Sequence, residues 1–119
     1  ICDAIGFKVT AVSGPNVTLN TTDSAYEINK RRIEFASDLG VSTFMTKGPG
    51  RLDRSTTSAD LEMMAAVYEG LAMFAEPLGV TVTYHPHINH LVDSTDEWQR
   101  FMTRLHRCRL CLEMSHAVR

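Results

Sequence analysis

An α/β fold of parallel strands, amounting to about four βα units of a partial (β/α)8 TIM barrel, is predicted by three observations. Strand-like apolar runs alternate with amphipathic helical stretches along the whole chain. Three of the runs share one grammar: Ile5-Gly6-Phe7-Lys8-Val9-Thr10, Leu39-Gly40-Val41-Ser42-Thr43-Phe44 and Leu78-Gly79-Val80-Thr81-Val82-Thr83. Each is an apolar residue, a glycine and a β-branched or aromatic run, the mark of a repeated βα unit. Finally, histidines and a carboxylate gather where two runs end, at Tyr84-His85-Pro86-His87-Ile88-Asn89-His90 and Leu112-Glu113-Met114-Ser115-His116. Parallel barrels carry their chemistry at such strand ends.

The elements are justified in turn. The first strand is expected over Ile5 to Thr10. Ser24-Ala25-Tyr26-Glu27 reads as a capping box opening the first helix, whose buried face is expected to be Ile28, Phe35, Ala36 and Leu39, with Gly40 as its left-handed stop. A second strand follows to Phe44. Leu61, Met64, Ala65, Tyr68, Leu71, Ala72, Ala75 and Leu78 recur at helical spacing, with Thr57 or Ser58 as N-cap, Pro77 loosening the last turn and Gly79 ending it. After the third strand, Ser94 to Glu97 forms another capping box, and Trp98, Phe101, Met102 and Leu105 make the third helix's stripe. Arg109 to Leu112 is the fourth strand.

Strict alternation implies right-handed crossovers between parallel strands. A complete barrel takes about 250 residues, so residues 1–119 read as a partial TIM barrel domain, truncated at both ends. Its two end strands would lack neighbours, which makes a homo-oligomer the expected escape. The alternative, a small open sheet, lacks a glycine-rich phosphate fingerprint after its first strand.

A formal charge of -2 and no basic stripe weigh against nucleic acid or an anionic membrane as partner. No run reaches the roughly 20 apolar residues of a membrane span. Three cysteines, an odd number, suit a reducing, cytoplasmic setting better than a disulfide framework. Cys108 and Cys111 have metal-knuckle spacing, but on a strand positions i and i+3 face opposite ways, so they read as thiols rather than ligands.

The loops after the strands are Ser13 to Asn16, Thr46 to Arg51, His85 to His90 and Glu113 to His116. His85 and His87 share a face of an extended chain and can reach one ion; Glu113 can add an oxygen from the next strand. Nitrogen and oxygen donors without thiolate suit Mn, Co, Zn or Fe. His90 and Lys47 are candidate substrate contacts. The Lys47-Gly48-Pro49-Gly50-Arg51 segment reads first as a turn bent by its glycines and second as an anion-binding loop. His106, near a helix end, is assigned no role.

Arg32-Ile33-Glu34-Phe35-Ala36 with Leu39-Gly40, Pro77 to Val82 leading into Tyr84-His85-Pro86-His87, and Leu112-Glu113-Met114-Ser115-His116 together resemble the xylose isomerase-like TIM barrel superfamily. The resemblance covers nearly the whole chain, as the second to fifth βα units. It implies a metal ligand at Glu113, where the family has Asp, and a substrate contact at His116. A His-x-His at the fourth strand, in place of a ligating Glu, is similar to the inosose dehydratase-like branch. The family's remaining ligands, a His and a Glu, come from later strands.

The function expected is a metal-dependent isomerase, epimerase or dehydratase acting on a small-molecule sugar or polyol. An ion at His85 and Glu113 would polarise a carbonyl or enediolate oxygen, with His116 and His87 as candidate catalytic residues. The alternatives are a barrel metallohydrolase, including an AP endonuclease-like enzyme, and an inactive half-barrel remnant. The 119 residues alone are expected to be inactive.

Overall fold

Gly6, Gly40 and Gly79 all take left-handed backbone angles, with φ of 78°, 73° and 72°, a conformation that costs glycine little. Each follows a helical turn, so the repeated apolar-Gly signature is a helix stop set before a strand rather than the strand's own start. After α1 (Ser24–Asp38), Gly40 N–H donates to Ser37 C=O and Val41 N–H to Ala36 C=O, the paired bonds of a Schellman ending. α2 (Ser58–Ala75) runs on into a 3-10 turn at Glu76–Leu78 that carries Pro77, and Gly79 closes it. The computed structural model describes residues 3–113.

Because the helix stops use up these residues, the strands begin later than their apolar runs do. β1 is Val12–Ser13, β2 Thr43–Thr46, β3 Thr81–Tyr84 and β4 Arg109–Leu110, with α3 (Thr95–Met102) before the last. The strand expected over Ile5 to Thr10 is not there. Asp3–Ile5 forms a 3-10 turn, and Ile5, Phe7 and Val9 are exposed. Alternation alone does not make a strand; the pairing partner does, and β2 presents Phe44 and Met45 to Val12 and Ser13.

All four strands are parallel, in the order β1-β2-β3-β4. Each lies beside its predecessor, so the sheet winds one way, as in a barrel, with no reversal of order of the doubly wound kind. β2 and β3 pair in step from Thr43↔Thr81 to Thr46↔Tyr84. His85 N–H then donates to Thr46 C=O and Cys111 N–H to Tyr84 C=O, carrying the ladder past the strand ends.

The core lies between the sheet and α2. The α2 stripe is buried from Leu61 to Ala75, whereas Leu78, beyond the proline, is 36% exposed. Tyr68, Tyr84 and Phe101 join α2, β3 and α3 edge to face, with centroids 5.0 to 6.0 Å apart, and the Tyr68 hydroxyl donates to Thr46 C=O at 2.9 Å. Thr57 and Ser94 cap α2 and α3, each in a reciprocal box with Asp60 or Glu97. Cys108 is buried, which pushes its thiol up to about 12, and Cys111 lies 3.9 Å from the Met45 sulfur. Both are free thiols.

The α1 face differs from expectation. Asn29, Ile33 and Ala36 are buried, while Ile28, Phe35 and Leu39 are 40%, 50% and 52% exposed. The true stripe contains a polar residue, because the Asn29 side-chain amide donates to Pro15 C=O; a purely apolar reading rotates the helix by one position. The N-cap is likewise Asp23, which accepts from Tyr26 N–H, rather than Ser24.

Arg51 anchors the β2 loop to the start of α3 by two hydrogen bonds to Glu97, at 3.1 and 3.2 Å. Burial by itself would raise the Glu97 carboxyl. Hydrogen bonds from Arg51 and from the Ser94 and Asp93 amides, with the Arg51 charge, outweigh it and hold the pKa at about 2 against an ordinary 4.5. A carboxyl depressed in the folded state stabilises fully above its unfolded pKa and loses that contribution as pH falls through the folded one. Melting temperature followed by circular dichroism should therefore fall as pH drops from about 4.5 to 2. Glu97→Gln should cost about 1–3 kcal/mol at neutral pH and flatten that part of the acid limb.

Candidate functional site

Parallel pairing puts the ends of β1 to β4 at one edge of the sheet, and the loops that leave it are held by buried polar contacts. Pro15 C=O accepts from both the Asn29 amide and the Thr46 hydroxyl, at 3.2 and 2.6 Å. Val17 N–H donates to Lys47 C=O. Gly14 is required by this packing: a Cβ there would lie 2.0 Å from Asn29 Oδ1 and 2.6 Å from the Phe44 ring. Together these contacts aim the β1 loop, and Asn16 with it, across the strand ends.

The β2 and β3 loops are joined as well. Gly50 and His90 form an antiparallel bridge, Leu91 N–H donates to Pro49 C=O and Arg51 N–H to Asn89 C=O. Asn89 has φ 59°, which its residue type tolerates better than most.

The first-run histidines fall into two groups. His85 is buried, 8% exposed, and its Nε2 lies 3.2 Å from Oε2 of Glu113, a half-exposed carboxylate beyond the end of β4 rather than last in its strand. His87 and His90 lie further out, with ring centroids 4.7 Å apart, while His85 and His87 are 6.5 Å apart. Nδ1 of both His87 and His90 meets Ile88 C=O, at 2.9 and 3.0 Å. A carbonyl only accepts, so each Nδ1 carries the proton. In a neutral His90, Nε2 is then the acceptor of the Asn16 side-chain amide at 3.2 Å, which engages both of its nitrogens.

Lys47, Asn16, Thr46, Ser13 and His85 line a cavity of about 230 Å³ between the ends of β1, β2 and β3. Arg51, the second cation of its loop, is turned away to Glu97, and Arg54 to Asp60 at 2.6 Å. The Lys47 to Arg51 segment is thus a structural turn that leaves Lys47 facing the cavity. His106 is exposed in the bend between α3 and β4, past the helix end expected for it, where its backbone N–H, with those of Arg107 and Cys108, donates to Glu69. His116 lies outside the described residues, as do Met114 and Ser115.

Sequence reasoning did not single out Asn16 or Asn29. Asn16 followed Gly-Pro, a turn signal that drew no attention to its side chain. Asn29 was hidden in a helix read for apolar residues alone.

Residues 1–119 match a family model described as the xylose isomerase-like TIM barrel. The chain belongs to that family. No curated protein matches it in sequence. Among solved structures it is similar to a sugar phosphate isomerase/epimerase from Parabacteroides distasonis, with TM-score 0.73 and 17% identity, covering 98% of this chain and 46% of that one. It is also similar to a D-allulose 3-epimerase from Methylomonas sp., with TM-score 0.74 and 16% identity over 99% of this chain and 47% of the other. A third is a xylose isomerase-like TIM barrel protein from Mycobacterium smegmatis in complex with magnesium, with TM-score 0.65 and 12% identity over 95% and 42%. The chain spans about half the length of these structures or less, and at such identities the likeness concerns the fold.

The donors present suit a divalent ion in part. Two ligands on adjacent coordination positions at about 2.0–2.3 Å stand roughly 3 Å apart, and His85 Nε2 and Glu113 Oε2 are 3.2 Å apart. Among the described residues no group of three or more His, Cys, Asp or Glu completes such a site.

Gly14→Ala tests the loop framework. It should lower stability by about 1–3 kcal/mol through overpacking against Asn29 and Phe44, read from denaturant melts, and should shift the Asn16 and His90 NMR signals together. An Ala with unchanged stability would mean that the β1 loop is not held as described.

Proposed function

We propose that the chain belongs to a metal-dependent isomerase, epimerase or dehydratase acting on a small-molecule sugar or polyol. The observation that supports this most is the His85–Glu113 pair at 3.2 Å, on the segments that leave adjacent strands at the C-terminal edge of a parallel sheet in a chain of this family. Residues 1–119 are read here as about four βα units of a larger barrel, as their share of the similar structures supports.

His85 and Glu113 would hold the ion through one imidazole nitrogen and one carboxylate oxygen. When bound, a divalent ion supplies positive charge against a carbonyl or enediolate oxygen of the substrate. The rest falls to side chains of this chain. His87, beside the pair and with Nδ1 engaged by Ile88 C=O, can present Nε2 to a substrate proton at the neighbouring carbon. His90, its ring set by Asn16 and Ile88, lines up with substrate hydroxyls and keeps His87 oriented through their ring contact. Lys47 contacts substrate from the cavity. His116 takes the substrate-orienting or proton-transfer role that the family resemblance implies.

The test is metal binding by the 119-residue chain, followed by titration calorimetry with Mn, Co and Zn. His85→Ala and Glu113→Ala should each weaken binding by roughly 10–100-fold, while His106→Ala, in the exposed bend between α3 and β4, should leave it unchanged. Equal affinity in all three variants would remove the metal site from the reading.

A further inference from the structure

We propose that the substrate carries an anionic substituent, a carboxylate or a phosphate, which the cavity between β1, β2 and β3 receives at Lys47; this rests on the sugar-enzyme reading above. The β2 loop brings three cations to this end of the sheet, and their fates differ. Arg51 is paired with Glu97 and Arg54 with Asp60. Lys47 makes no ion pair among the described residues and lines the cavity. Its companions there, including Ser13, Asn16, Thr46 and His85, bring no carboxylate. A half-buried lysine with no acidic side chain in the cavity lining favours an anion over a neutral hydroxyl.

The order of strands gives the site a polarity. Lys47 follows β2, His85 follows β3 and Glu113 lies beyond β4, and neighbouring strands stand about 4.8 Å apart. Cation, imidazole and carboxylate therefore lie in sequence along the edge, with the β2 and β4 ends separated by roughly 10 Å. A sugar of five or six carbons spans such a distance. Its reacting carbons would lie by His85 and Glu113, and its charged end by Lys47.

The experiment is a metal-free NMR titration of the whole 119-residue chain, at constant ionic strength, with inorganic phosphate, with glucuronate and with glucose. Saturable shifts of the Ser13, Gly14, Asn16, Thr46 and Lys47 amides are expected with an anion and not with glucose. Lys47→Met should weaken anion binding roughly tenfold or more, Lys47→Arg should restore much of it, and Lys8→Met, on an exposed residue, should change nothing. A response to phosphate alone assigns a sugar phosphate, and one to glucuronate alone a sugar acid. Absence of saturable shifts with either anion, or anion binding indifferent to Lys47→Met in a chain whose circular dichroism is unchanged, overturns the proposal. Metal titration of Lys47→Met separates the two readings: metal affinity kept while the native chain ignores both anions sinks the anion site alone, and anion binding kept without any metal binding sinks the proposed metal-dependent function alone.

Discussion

The in-step parallel pairing of β2 with β3 is the constraint on which the rest of the structure depends. Four consecutive residues match, Thr43 to Thr46 against Thr81 to Tyr84, so Lys47 and His85 leave the sheet at the same level. A shift of one residue would turn Phe44 and Val82, now buried, to the other face. β1 and β4 then take their register from this pair, through Phe44 with Val12 and Tyr84 with Leu110. Short outer strands of two residues each can persist because the central pair and the helices behind it carry the burial.

Around that pair, the loops are held by polar groups inside the fold rather than by apolar burial. Pro15 C=O gathers the Asn29 amide and Thr46 hydroxyl; Thr46 C=O in turn receives the Tyr68 hydroxyl and the His85 amide. One threonine thus couples α1, α2, the β1 loop and the residue that meets Glu113. Buried polar groups of this kind are costly unless satisfied; the Asn29 N–H and the Thr46 hydroxyl find Pro15 C=O, which specifies one loop arrangement, although Asn29 Oδ1 finds no hydrogen-bond partner among the described residues. The Arg51–Glu97 link does the same for the β2 loop and α3, which explains why two basic residues in one glycine-rich segment have different uses.

The site that results is graded from buried to exposed. His85 lies inside with Glu113 at its rim; the tilted rings of His87 and His90 lie outside it, tied by Ile88 C=O and Asn16. All three histidines lie on the loop that follows β3, at the edge of the sheet where parallel barrels carry their chemistry.

The residues themselves determined that helices and strands alternate, where α2 and α3 are capped, that Gly40 and Gly79 end helices, and that histidines collect at one edge. These follow from local rules: side-chain periodicity, capping chemistry and the left-handed freedom of glycine. What only the tertiary structure decided was non-local. The first strand moved from Ile5–Thr10 to Val12–Ser13 because β2 chose its partner, and the α1 face turned onto Asn29 because Pro15, remote in sequence, offered a carbonyl. In the same way Lys47 was separated from Arg51, and His90 from His85, by contacts with Glu97 and Asn16 across 46 and 74 residues. Spacing along a chain encodes which face a residue takes; it does not encode the distant group that will meet it there.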